Sequence, residues 1–269
     1  MKIRLNLILT TLLVLAVLLS LTIGSVQVDV WGGLWDWLSK THSRAAIVVG
    51  EIRLPRTMLA LLVGAALGLS GAALQGLLRN PLADPGLTGA SQGAALGAAA
   101  VFYFGFFPAA GLYAPALAGL LGSSVSMVLM LWLAGRGKTS LVLLAGLAIS
   151  TISGALLATV LNFAPNPFAM QELVFWLLGS VSDRSMDHVM LLAPALLAGF
   201  FLLWKEKQFL VAMSLGEEVA QSLGYRFAVH SRRVVLAAAI LVGSAVSVAG
   251  GIGFVGLIVP HLLRRWVGF

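Results

Sequence analysis

An apolar run of about twenty residues carries an α-helix across the roughly 30 Å hydrocarbon core of a bilayer. Such runs recur along this chain, near 5–23, 57–78, 88–107, 112–134, 141–162, 188–204 and 233–250, and a shorter, glycine-broken run covers about 254–269. Lipid offers backbone amides no partner, and a helix satisfies them within its own segment. The rest of the composition agrees. Only 10% of the 269 residues are charged and 59% are hydrophobic, against about 25% charged in a soluble domain, which is too few polar side chains to coat a globule. The chain is therefore expected to be all-α, a polytopic membrane helix bundle of about eight transmembrane segments forming one domain over 1–269. Cysteine is absent, so disulfides and thiolate metal sites are excluded and no redox compartment can be read.

Charge fixes an orientation. If the N-terminus is cytoplasmic and the segments alternate, twelve of the seventeen Lys and Arg residues fall on the cytoplasmic side. The other five, Lys40, Arg44, Arg53, Arg56 and Arg184, lie outside. This is the positive-inside bias, and it accounts for the net charge of +7 without a nucleic-acid partner. Lys2 and Arg4 before the first apolar run also suit a signal peptide, but Gly24–Val28 has no good small-x-small cleavage site, so the run reads as a retained helix. The outer stretches 24–56 and 163–187 mix Trp31, Trp35, Trp37, Phe168, Phe175 and Trp176 with polar residues, which suits short helices at the membrane interface. Glycine-rich runs, with GAALG at both 64–68 and 93–97, point to close helix–helix approach. No Asp, Glu, Lys or Arg sits centrally in a span, so an ion-coupled carrier finds no obvious proton path, and the power source is expected elsewhere.

The stretch GRGKTS at 135–140 ends like a P-loop, G-x-x-x-x-G-K-[ST]. The first glycine of that pattern falls on Trp132, whose indole prevents the tight phosphate-wrapping turn. Gly137-Lys138-Thr139 therefore reads as a short cytoplasmic turn, and the chain is expected to carry no nucleotide site or cofactor of its own.

Three stretches carry more specific information. In RLPRT, Arg53 and Arg56 stand outside against the charge bias, which calls for an acidic partner surface or lipid phosphates. The same predicted helix ends at Arg79-Asn80-Pro81-Leu82-Ala83-Asp84-Pro85-Gly86, a rigid turn. In SLGEEVAQSLGY, Ser214 and Glu217 stand at capping-box spacing and Gly224 suits a left-handed stop, which predicts a short inner-surface helix able to dock a soluble partner. In AGGIGFVGLIVPHLLRR, Gly250, Gly251, Gly253 and Gly256 break helix continuity ahead of Pro260. Irregular backbone at membrane depth must be buried in protein or line a cavity. His261 is expected to hydrogen-bond at a helix start. A competing reading takes Gly68-Leu69-Ser70-Gly71 as the G-x-S-G of a rhomboid-like intramembrane serine protease, with His188 or His261 as base.

With G-A-A-L-x-x-S-G at 64–71, N-P-L-A-D-P-G-L-x-G-A-S at 80–91, L-G-E-x-x-A-x-x-L-G at 215–224 and G-F-V-G-L-I-x-P-H-x-x-R at 253–264, the chain resembles the FecCD-type permeases of bacterial ABC importers. The members that import vitamin B12 resemble it most. The resemblance implies a homodimer in the bacterial inner (cytoplasmic) membrane, moving cobalamin or an iron-siderophore or haem chelate by alternating access. Two separate ABC ATPase subunits, which bind the ATP and Mg, would dock on the cytoplasmic face. A periplasmic or lipoprotein substrate-binding protein would dock outside on Arg53 and Arg56. The resemblance assigns Asn80, Leu82, Thr139 and Ser140 to a cytoplasmic gate. It assigns Ser214, Leu215, Gly216, Glu217, Glu218, Ala220, Leu223 and Gly224 to ATPase coupling. Family members have ten membrane helices, so the chain is expected to lack the last two.

Overall fold

The computed structural model describes residues 2–105, 108–135, 139–163 and 167–267. The Gly137-Lys138 part of the P-loop-like stretch lies outside the described residues. The described residues form helices joined by short turns: α1 (Lys2–Thr22), α2 (Val30–Leu38), a single turn α3 (Arg44–Ala46), α4 (Leu54–Leu78), α5 (Ala90–Phe104), α6 (Ala114–Ala134), α7 (Thr139–Asn162), α8 (Pro167–Leu177), α9 (Met186–Lys205), α10 (Lys207–Leu215), α11 (Glu217–Ser222), α12 (Phe227–Ala249) and α13 (Val255–Val267). A π-helical stretch, Ile47–Arg53, joins α3 to α4, so one apolar helix runs over Arg44–Leu78. Among the described residues, six helices are long and apolar enough to cross a bilayer, and two shorter apolar ones accompany them. The all-helical polytopic bundle is thus the observed architecture.

Lengths differ from expectation in instructive places. The run at 88–107 yields a helix of only 15 residues, about 22 Å long. Gly89 and Gly105 bracket it with φ of +75° and +64°, left-handed backbone that glycine adopts at little cost. The helix expected from 233 begins at Phe227 instead. The last segment needs a larger correction. Gly250, Gly251 and Gly253 are non-helical as expected, but Gly256 lies inside α13, and so do Pro260 and His261. His261 is exposed on that helix and does not start it. Proline has no N–H for the carbonyl four residues before it, which here is Gly256. That carbonyl stands where a Cβ on Gly71 would be, while a Cβ on Gly256 would meet the Leu67 carbonyl and Pro85. The glycine at 256 therefore permits close approach of two backbones and is not a helix breaker.

Packing sorts the chain into two compact units: Met1–Leu62 with Val181–Leu191 and Leu262–Phe269, and Val63–Ser180 with Leu192–His261. In the first, α1 leaves its apolar side chains exposed, as a lipid-facing helix does. Ser20 and Thr57 share a hydroxyl hydrogen bond of 2.7 Å. Asp29 caps α2, and Gly33 lets α2 close on the Ala45 carbonyl. In the second unit, α5 packs along α6, and α12 packs on both. Gly93 faces the Gly122 carbonyl and Ser126, Gly97 faces the Ala118 carbonyl, and Gly119 faces Ser247. Small residues let these backbones touch, which is how helices gain dispersion energy where lipid supplies no hydrophobic drive.

Candidate functional site

Sequence singled out four places, and the structure gives each a definite geometry. The first is the arginine pair of the first unit. Arg56 is exposed, but Arg53 is not: it is only 7% accessible. Arg53 Nη1 donates to the carbonyls of Leu21 (2.7 Å) and Thr22 (3.0 Å), and Nη2 donates to the carbonyl of Val26. The expectation of two exposed arginines is thus corrected for one of them. The cause is the end of α1, whose last carbonyls have no intrahelical donor and attract a cation. The π-helical stretch just before α4 sets where Arg53 falls on the helix, a distortion often found at functional positions. Both arginines line a cavity of about 390 Å³ with Ser20, Gly24 and Ile52.

The second place is the turn after α4, in the second unit. Arg79 takes φ +51°. Asn80 Oδ1 accepts from Leu82 N at 2.9 Å, and Asp84 Oδ1 accepts from Gly86 N at 2.6 Å. Thr88 Oγ1 donates to the Pro85 carbonyl at 3.0 Å. Side chains thus do the work of a backbone turn, and Leu82 is held out, exposed. Thr139 and the exposed Ser140 begin α7, yet the turn meets α7 further along, where Gly89 packs on Gly146 and Ile149. Among the described residues no hydrogen bond joins Asn80 or Leu82 to Ser140.

The third place, the broken stretch Gly250–Phe254, is held by protein backbone. Ser180 N donates to the Ala249 carbonyl at 2.7 Å, and Gly250 abuts the Trp176 carbonyl. Gln75 Nε2 donates to the Leu257 carbonyl at 3.1 Å. Phe254 is exposed with φ +65°, a strained conformation for a bulky side chain. A cavity of about 220 Å³ lies between this stretch, α12 and the turn, lined by Asp84, Ser91, Val242 and Phe254 among others. Gly250 is buried while Gly251, Gly253 and Phe254 are exposed, and the stretch lines this cavity, one of the two settings in which irregular backbone is tolerated at membrane depth. Ser70, the serine of the G-x-S-G stretch, is fully buried and donates to the Leu67 carbonyl of its own helix at 2.9 Å.

The fourth place is the loop 205–233. The capping box is corrected: Ser214 lies inside α10 and donates to the Val211 carbonyl, while Gly216, at φ +124°, precedes α11 without any side-chain cap. The loop therefore presents two short helices at a glycine corner where one was expected. Gly224 stops α11 at φ +90° as expected. Ala220 is buried and anchors α11, while Leu215, Glu217, Glu218 and Leu223 are exposed. Sequence reasoning passed over Glu206 and His230 and counted Arg233 only as a topogenic charge. His230 Nδ1 lies 2.6 Å from Glu206 Oε2, and Arg233 Nη1 donates to Oε1 at 3.3 Å. The legible signal was His230 and Arg233 at i, i+3, which share a helix face. Arg232, counted only as a topogenic charge, donates to the Gly135 carbonyl at the end of α6. Among the described residues no cluster of three or more His, Asp or Glu could hold a metal.

A family model described as the FecCD transport family matches residues 12–269. The vitamin B12 import system permease protein BtuC of Salmonella paratyphi A is 38% identical over 257 residues, covering 95% of this chain and 76% of its own. The protein of the same name from Salmonella arizonae is 38% identical over 258 residues, covering 95% and 75%. A solved structure, an inward-facing conformation of a metal-chelate type ABC transporter, matches with a TM-score of 0.85 at 30% identity, covering 99% of this chain and 82% of that one.

Proposed function

The chain belongs to the FecCD transport family and is the permease subunit of an ABC importer, and we propose that its cargo is cobalamin or an iron-siderophore or haem-type chelate, moved by alternating access through a homodimer. The observation that carries the cargo class is the likeness, over nearly the whole chain, to permeases named for vitamin B12 and to a metal-chelate transporter. The membrane is the bacterial inner membrane, with the N-terminus cytoplasmic on the positive-inside bias.

Separate ATPase subunits supply ATP and Mg, and the face of α11 with Leu215, Glu217, Glu218 and Leu223 receives them. Its support is exposure of both apolar and acidic side chains on a loop braced from below. A substrate-binding protein docks outside on Arg56, the exposed member of the pair, with Arg53 holding the end of α1 beside it. Asn80, Leu82, Thr139 and Ser140 form the cytoplasmic gate, and the exposed Leu82 suits a position facing a second copy. The test is uptake into proteoliposomes bearing the permease, its ATPase and its binding protein. Labelled cyanocobalamin, a ferric siderophore and haem are compared with and without ATP. ATP-dependent uptake of one of them supports the proposal, and uptake of none overturns the cargo class.

A further inference from the structure

Glu206 is the one buried carboxylate among the described residues, at 2% accessibility. A buried charge demands partners, and both partners come from α12, one for each oxygen. Glu206 is also the single residue between α9 and α10. Its N–H donates to Leu202 and Leu203, and its carbonyl accepts from Leu210 N at 2.9 Å. One residue thus ties α9, α10 and α12 together.

An aromatic layer completes the joint. Phe209, fully buried on α10, stacks on the His230 ring at 5.1 Å. Tyr225, just beyond α11, meets the same ring edge-on at 5.2 Å and Phe209 at 5.7 Å. Tyr225 N donates to the carbonyl of Ala220, the buried anchor of α11. α11 therefore hangs from His230 by contacts on both sides. From His230 the path continues along α12, whose residues are almost all buried over Val234–Ala249. A helix packed along its length moves as a rigid piece. It ends at Gly250, where the broken stretch and its cavity begin.

We propose that the Glu206–His230–Arg233 cluster, with Phe209 and Tyr225, is the coupling joint that makes α11 and α12 move as one body, so that displacement of the ATPase-facing loop reaches Gly250–Phe254. This rests on reading α11 as the ATPase docking element. These are positioning residues, and they touch no cargo. Glu206 is buried while Arg233 reaches it from the exposed side, and a buried carboxylate suits the task because its network is stiff when fully satisfied and fails when partly satisfied.

The chain has no cysteine, so a single Phe254→Cys reports on the broken stretch through its rate of modification by a maleimide. The permease carrying it is assembled with its cognate ATPase and treated with ATP and vanadate, which trap the ATPase after hydrolysis. On the otherwise unaltered chain the rate is expected to change at least about fivefold. With Glu206→Gln added, the complex is expected to co-purify and to keep its thermal unfolding midpoint, but the ATP response is lost. His230→Phe, which keeps a ring against Phe209 and removes the nitrogen, is expected to lose the response too, and it decides the matter if Glu206→Gln does not fold. A full ATP response in either folded variant overturns the proposal. So does an unresponsive Phe254→Cys in the otherwise unaltered complex, or loss of the ATPase from the variants. Failure of the unaltered chain to bind any ABC ATPase overturns the docking reading itself.

Discussion

At the residue scale, two arginines three positions apart divide the labour of one surface. Arg53 spends its guanidinium on three backbone carbonyls, and Arg56 keeps its own in water. Arg53→Ala leaves those carbonyls short of a donor, which costs about 1–3 kcal/mol and lowers the unfolding midpoint in detergent. Arg56→Ala is expected to leave that midpoint unchanged. It should weaken capture of the binding protein, and the unaltered interaction should fade as salt rises, because exposed charges are screened within about 10 Å at 0.1 M. Affinity measured at two salt concentrations, beside a melting curve, separates the two roles. A second pair of residues makes the same point for glycine. Gly71→Ala drives a Cβ into the Gly256 carbonyl, and overpacking of this kind costs about 1–3 kcal/mol. At Gly64 a Cβ meets nothing within 4 Å, so Gly64→Ala is expected to be neutral or to stabilise by about 0.5–1 kcal/mol. Melting curves of the two variants check this.

At the scale of elements, α11 is too short to be stable alone. It persists because Ala220 is buried beneath it and glycines at both ends, Gly216 and Gly224, turn the chain with positive φ. Its outward face carries only local contacts, from Gln221 to the Glu217 carboxylate and from Ser222 Oγ to the Glu218 carbonyl. Charge reversal of both Glu217 and Glu218 to Lys is therefore expected to weaken ATPase association while leaving the unfolding midpoint in place. Co-purification with the ATPase, set against a melting curve, reads both, and normal association and normal transport in the double variant would remove the docking role. At the end of α9, Lys205 lies 4.6 Å from the Phe201 ring and Lys207 4.4 Å from the Trp204 ring. Cations over exposed aromatics are a fitting boundary between apolar and wet surface.

At the scale of the whole molecule, orientation is open to direct test. In a chain without cysteine, Ser39→Cys is expected to react with an impermeant maleimide added outside right-side-out vesicles. Val219→Cys is expected to react only after the vesicles are opened. The reverse pattern would invert the assigned topology.

What the sequence determined by itself is an all-helical membrane bundle and the approximate course of most of its helices. Twenty-residue apolar runs, left-handed glycines and turn residues act locally and leave their mark in neighbouring positions. What only the tertiary structure decided is who meets whom. Gln75 bonds a carbonyl 182 positions away, Arg53 closes the end of another helix, Gly256 serves a contact with Gly71, and Glu206 finds His230 and Arg233. An arginine outside a membrane reads the same whether it faces water or a helix end, and a glycine reads the same whether it bends a backbone or lets another approach. Pairings of this kind have no periodicity along the chain; burial forces them only once the helices have packed.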